Sequence, residues 1–281
     1  MAGRTSQPGQ SVTGRVLSIL AVFEDSLAPR SLTDLATETG LALSTTHRLL
    51  AELEEWGALQ RDVNGRYQIG LRLWELGQHA GRQVREIARP LLQDLYSLTQ
   101  ETVHIAIREN TEVLYIDRVY GTRRVPQASR VGGRLPLHAT AVGKVLLAYE
   151  ETWLREAVLA QPLESRTPNT HVDPAGLRLE LELIRARGYA LTVDEVRMGS
   201  ASIAVPIFQR GDGVIGASLG VVTTAEKASV LERHLPALRG IARRIENSVG
   251  AFPLRSMMPA GKQVASTQWK DMRGSEDDDV Q

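Results

Sequence analysis

The pair Asn64-Gly65 narrows most sharply what this chain can build. It lies between two short runs, 58–62 and 66–69, that read as strands. Asn-Gly is the strongest two-residue hairpin signal, because both residues tolerate the positive φ of a tight turn. Three segments of helical period precede it. Ser11 can cap the first, in which Val16, Leu20 and Phe23 share a face that ends before Pro29. Ser31 can cap the second, with Leu32, Leu35 and Ala36 inward and Gly40 where a left-handed residue turns the chain. The third, 44–56, places Thr46, Leu49, Leu50, Leu53 and Trp56 on one side and is ended by Gly57. Three short helices followed by a hairpin give the order of a winged helix.

Beyond the hairpin, residues 71–83 read as a helix with Leu73, Leu76 and Gly77 on one face, linking two domains. A helix over 85–99 follows, with Ile87, Leu91, Leu92, Leu95 and Leu98 as its apolar set and Pro90 disturbing it early. The pattern then shortens to strands at 103–108 and 113–119. A Gly/Arg-rich stretch, 121–134, leads to a compact helix at 140–149, and further helices fit 152–160 and 174–187. Strands fit 189–193, 202–208 and 214–222, and a helical region after Thr224 restarts at Pro236. The fold class expected is α+β: a winged helix-turn-helix at 11–75, a linker helix at 71–84 and a larger domain at 85–250. Polar tails are expected at 1–10 and 251–281.

The 281 residues suit two domains, and 33 basic against 33 acidic residues give a net charge of zero. No polynucleotide partner is announced by charge, since the first 80 residues are slightly acidic; DNA contact would rest on a few placed cations. No apolar run nears the roughly 20 residues needed to cross a bilayer, so no membrane role is expected. The polar start lacks the apolar core of a secretion signal, and the absence of cysteine excludes disulfides and thiolate sites. A cytoplasmic location is therefore expected.

Residues 31–56 have what a DNA-reading helix pair needs: two helices, a short glycine turn, and polar side chains at the start of the second. Thr45 and Arg48 lie one turn apart, where Arg can bond guanine O6 and N7 and Thr can bond a base or pack on thymine. Ser44 suits the helix start or a phosphate, and His47, Arg15 and Arg66 suit phosphates. The same residues also fit a plain solvated helix. Glu52, Glu54 and Glu55 would equally suit a winged helix that binds protein in a sensor or adaptor.

Three blocks in the same order carry a resemblance. They are Ser31-Leu32-Thr33-Asp34-Leu35-Ala36 with Ser44-Thr45-Thr46-His47-Arg48-Leu49-Leu50 and the wing Gly65-Arg66-Tyr67-Gln68-Ile69-Gly70; then Leu137-His138-Ala139-Thr140-Ala141-Val142-Gly143-Lys144; then Gly188-Tyr189, Asp194-Glu195, Gly199, Ser202-Ile203-Ala204 and Pro206-Ile207-Phe208. Over about residues 11–250 the chain resembles the IclR family of bacterial transcriptional regulators. The resemblance implies base contact by Thr45 and Arg48, although Leu43 stands where members often carry a basic or polar residue. It implies a GAF-like α/β effector-binding domain, a double-stranded DNA operator as partner, and homodimers able to pair into tetramers. An effector would then alter the spacing of the two DNA-binding heads through the linker.

In the second domain, Thr140 can cap a helix whose first N–H groups suit a carboxylate, and Ala139, Ala141 and Gly143 allow close backbone approach. Tight helix packing with Lys144 facing solvent explains the same residues. The resemblance implies an effector pocket formed by Ala141, Val142, Thr192, Ser202, Leu219 and Val221. Ser202 stands where many members have Cys. Leu219 and Val221 replace polar residues of some small-oxoacid binders, which points to a small organic acid with an apolar body, such as an aromatic carboxylate. No enzyme is expected: His104, His138 and His171 are dispersed, no catalytic or phosphate-loop motif occurs, and Asp194-Glu195 would face opposite sides of a strand. No cofactor and no metal spacing are read.

Overall fold

The computed structural model describes residues 11–24, 28–77, 82–121, 130–209 and 213–249. Both expected tails and part of the expected linker helix, 78–81, lie outside them. The chain divides into two units, Met1–Arg82 and Gln83–Gln281.

In the first unit Ser11 caps α1 (Val12–Ala21), its hydroxyl accepting from the Gly14 N–H at 3.0 Å. A reciprocal pair opens α2 (Leu32–Thr39): Ser31 Oγ accepts from the Asp34 N–H at 3.1 Å, and the Asp34 carboxylate accepts from the Ser31 N–H at 2.9 Å. Gly40 (φ 65°) ends α2 and Gly57 (φ 83°) ends α3 (Leu43–Trp56). Ile19, Leu35, Leu49, Leu50 and Leu59 are fully shielded at the centre of this unit. Ile19, rather than Val16 or Leu20, is the innermost residue of α1; those two flank it half-buried. Trp56, expected inside, is 47% exposed, with the Arg72 guanidinium 5.1 Å above its ring.

The hairpin joins β1 (Leu59–Arg61) to β2 (Tyr67–Ile69), antiparallel. Its turn is not the two-residue form expected of Asn64-Gly65. The Gly65 N–H donates to the Asp62 carbonyl, and Gly65 alone in the loop takes a left-handed φ, of 72°. The Asp62 carboxylate supplies the reason. It accepts from the Asn64 and Arg66 N–H groups at 2.8 and 2.9 Å, which stabilises a longer loop. Arg30 adds an isolated bridge to Tyr67 on the other side. In α4 (Leu71–Gly77) Leu73 packs on the core of this unit, whereas Leu71, Trp74 and Leu76 are exposed.

The second unit opens with α5 (Arg82–Thr99), which begins three residues before the expected start and continues through Pro90. Proline removes one helical N–H, yet Val84, Ala88, Leu91, Leu92 and Leu95 are buried, and that packing holds the helix. Leu98, expected inside, is 69% exposed. There follow β3 (Thr102–Glu109), β4 (Glu112–Val119), β5 (Arg134–Pro136), α6 (Ala141–Tyr149), α7 (Thr152–Leu159), α8 (Pro174–Arg187), β6 (Ala190–Val193), β7 (Ser200–Phe208), β8 (Ile215–Thr224) and α9 (Leu235–Ser248). A 3-10 stretch, Ala225–His234, precedes α9, which has Pro236 in its first turn.

The six strands form one antiparallel sheet in the order β5-β4-β3-β8-β7-β6. Side chains alternate between its faces. Val103, Ile105, Ile203 and Val205 meet residues of α5 and α9 on one face. Ala106, Val113, Ala190 and Ala204 meet α6 and α8 on the other. This second face uses small residues, so α6 can lie close to the sheet.

Removing the Ser31 hydroxyl breaks half of the reciprocal cap. Ser31→Ala should lower the stability of the first unit by about 1 kcal/mol, read as a shift of its urea midpoint, with the second unit unchanged.

Candidate functional site

The start of α6 opens onto a cavity. Thr140 caps α6, its hydroxyl accepting from the Gly143 N–H at 3.0 Å. A Cβ at position 143 would lie 2.4 Å from the Leu137 carbonyl oxygen, so only glycine permits this approach. The N–H groups of Ala141 and Val142 come too early in α6 for intrahelical acceptors, and both residues line the cavity. Thr192 and Ser202, paired across β6 and β7, line it as well. Four of the six expected pocket residues thus meet in one place.

Leu219 and Val221 do not. They are fully buried on the opposite face, among the residues that meet α5 and α9. Leu219 pairs with Ile105 and Val205, and Val221 with Val103 and Ile203, all on that face. The residue of β8 that lines the cavity is Val222. An offset of one residue in a strand exchanges faces, and with it goes the argument that Leu219 and Val221 make the pocket apolar.

The cavity wall also contains residues that the sequence reading did not select: His104, Tyr115 and Arg118 from β3 and β4, Leu135 from β5, and Glu195 and Val196 after β6. His104 is 2% exposed and makes an edge-to-face contact with Tyr115, ring centres 5.1 Å apart. Burial, aided by the nearby Arg118 charge, holds its pKa down at about 3, so the imidazole is neutral. A histidine within the apolar run Val103–Ile107 was the available signal, since period two places it with Ala106 and apart from Ile105.

Lys144 does not face solvent. It is fully buried, and its Nζ donates to both oxygens of Glu180 (2.7 and 2.9 Å) and of Glu195 (2.9 and 2.7 Å). His171 Nδ1 lies 2.9 Å from a Glu180 oxygen. Among the described residues, His171, Glu180 and Glu195 form a group with metal-ligand chemistry, but the Lys144 ammonium already contacts all four carboxylate oxygens. Burial nevertheless raises the Glu195 pKa above the ordinary value.

Asp194-Glu195 is not on a strand either. β6 stops at Val193, and Asp194 turns the chain with φ 61° while its carboxylate accepts from the Gly199 and Ser200 N–H groups. Thr170 Oγ donates to the Glu195 carbonyl and Thr167 Oγ to that of Asp194, both at 2.6 Å. This rim of the cavity is therefore tied down from several directions.

In the first unit, Ser44, His47 and Arg48 are exposed and Thr45 half-buried on the opening turns of α3. Ser44 is the second helical residue, and Ala42, the cap position, offers no side-chain acceptor. The first N–H groups of α3 are accordingly left for another acceptor. Arg48 pairs with Glu52 at 2.6 Å, an exposed bond of the kind that contributes little. Arg66 is exposed beside the turn of the wing, and Arg15 is half-buried on α1.

Two outcomes follow from the buried groups. Lys144→Met leaves two carboxylates without their cation and should cost about 3–5 kcal/mol of stability by urea denaturation, part of it recovered in Lys144→Met/Glu195→Gln. His104 is held neutral in the fold but takes a proton near pH 6.5 when unfolded, so its contribution is complete above 6.5 and is lost as pH falls toward 3. His138 and His234, also lowered, act in the same direction, and Glu195, raised, acts in the opposite one. The acid-side loss should therefore be smaller in His104→Phe than in the unaltered protein, measured as urea midpoint against pH.

Comparison with known proteins places these features. Residues 12–63 match the IclR helix-turn-helix domain, and residues 79–247 match the bacterial transcriptional regulator IclR C-terminal domain. The HTH-type transcriptional regulator XynR of Escherichia coli is 35% identical over 82% of this chain and 95% of its own. The glycerol operon regulatory protein of Streptomyces coelicolor is 34% identical over 84% and 94%. Among solved structures, an IclR homolog from Microbacterium hydrocarbonoxydans complexed with 4-hydroxybenzoate superposes with a TM-score of 0.79, at 32% identity over 85% of this chain and 98% of that one. A winged helix-turn-helix and an α/β unit of this kind, matched over most of the sequence, make the chain a member of the IclR family of bacterial transcriptional regulators, not an enzyme.

Proposed function

We propose that the second unit is a GAF-like sensor for a small organic acid and that occupancy of its cavity controls DNA binding by the first. The observation that carries this reading is that one cavity is lined by Ala141 and Val142, whose N–H groups come too early in α6 for intrahelical acceptors, by Thr192 and Ser202, and by buried Arg118. A helix start of this kind favours a carboxylate, and the Arg118 cation favours the same charge. Leu135, Tyr115, Val142, Val196 and Val222 supply apolar surface for the body of the ligand. The aromatic carboxylate class therefore stands on different residues from those first expected, and the 4-hydroxybenzoate complex of a relative supports it.

For the DNA-binding unit, Thr45 and Arg48 are the base-reading residues, and Ser44, His47, Arg15 and Arg66 are phosphate partners. The open N-terminus of α3 favours a phosphate too. One such helix reads few base pairs, so a homodimer on paired half-sites supplies the specificity, and dimers pairing into tetramers would extend it. The domains run from 11 to 75 and from 85 to 250, with residues 71–84 as the linker between them, and the protein acts in the cytoplasm. Coupling requires only that the effector bind one arrangement of the dimer more tightly than another.

Arg48→Ala should relax base preference at one position and cost about 1–3 kcal/mol in electrophoretic shifts on the operator. A uniform loss on all sequences would make Arg48 a phosphate contact. Calorimetry should show aromatic carboxylates binding the full-length protein more tightly than glyoxylate or pyruvate. Tight binding of those two with none of aromatic acids would contradict the assignment.

A further inference from the structure

Neither ring nitrogen of buried His104 has a hydrogen-bond partner among the described residues. Native folds seldom leave a buried polar group in this condition unless something else serves it. His104 is among the residues that line the cavity, and the fold leaves just enough room for its ring. Its strand neighbour on β8 is Gly220, where a Cβ would lie 2.5 Å from His104 Nε2 and 3.0 Å from the Val142 side chain. The neighbour on the other side, on β4, is Arg118. Tyr115 fixes the ring edge-to-face without offering it a hydrogen bond through that contact.

We propose that His104 is the specificity-determining residue of this cavity, selecting organic acids that carry a hydroxyl group in addition to their carboxylate. The inference rests on the effector reading above and adds the second group that the ligand must present. A neutral imidazole has one N–H donor and one bare nitrogen acceptor. A hydroxyl can meet either, whereas a carbonyl can only accept. The carboxylate belongs at the α6 N-terminus and Arg118, and the hydroxyl at His104.

The test compares benzoate with 2-, 3- and 4-hydroxybenzoate by calorimetry on the full-length protein and on His104→Phe. At least one isomer should bind about ten- to a hundredfold more tightly than benzoate, because the analogue lacking the hydroxyl leaves the imidazole unserved. In His104→Phe that ratio should fall to about one. If all three isomers only equal benzoate, or if the preference survives in His104→Phe, the assignment of His104 is overturned while the carboxylate reading stands. If none of the four acids binds, the carboxylate reading fails and this inference with it. Should His104→Phe not fold, nitrogen-15 spectra of the histidines in the unaltered protein decide. One buried neutral ring should shift with the tightest hydroxybenzoate and not with benzoate, and equal responses to both would overturn the assignment.

Discussion

The second unit depends on how α6 is held against the sheet. Three contacts fix it: the Thr140 cap, the approach of Gly143 to the Leu137 carbonyl, and the bonds from Lys144 to Glu180 and Glu195. Burying an ammonium group costs several kcal/mol unless its partners are well placed, so these bonds are stringent about where α8 and the 194–199 loop can lie. That loop is one rim of the cavity and the α6 N-terminus is another. A single buried cation thus ties together two walls of the cavity, the 194–199 loop and the start of α6.

The DNA-binding unit solves a different problem. Its surface is not basic overall, so binding cannot come from a broad field. Exposed Ser44, His47 and Arg48 stand on the opening turns of α3, where the Ala42 cap position offers no side-chain acceptor to the first backbone donors. The Arg48–Glu52 pair keeps the guanidinium on the helix surface at little energetic cost to release.

Much of this architecture was legible in the sequence because it is written locally. Ser31, Gly40 and Gly57 mark helix ends by side-chain or φ preference, and each is found where it was read. What depended on distant partners was not legible. Lys144 resembles any solvated lysine until Glu180 and Glu195, 36 and 51 residues away, are brought to it. Leu219 and Val221 were given to the cavity through the family resemblance, and the register against β3 and β7 sends them to the other face. Asn64-Gly65 announced a hairpin correctly but not its turn, because the Asp62 carboxylate competes for the loop's N–H groups. His104 is the instructive omission. Its place in an apolar strand was visible, but only the fold shows that no neighbour among the described residues satisfies it.

An organic acid at the start of α6 is the proposal on which the regulatory reading rests. Hydrogen–deuterium exchange of the full-length protein, with and without a saturating aromatic carboxylate, reports on it amide by amide. Slowed exchange is expected at the amides of Ala141 and Val142, which come too early in the helix for an acceptor within it, together with the 194–199 loop. Binding that leaves those amides unprotected while slowing exchange elsewhere would contradict it.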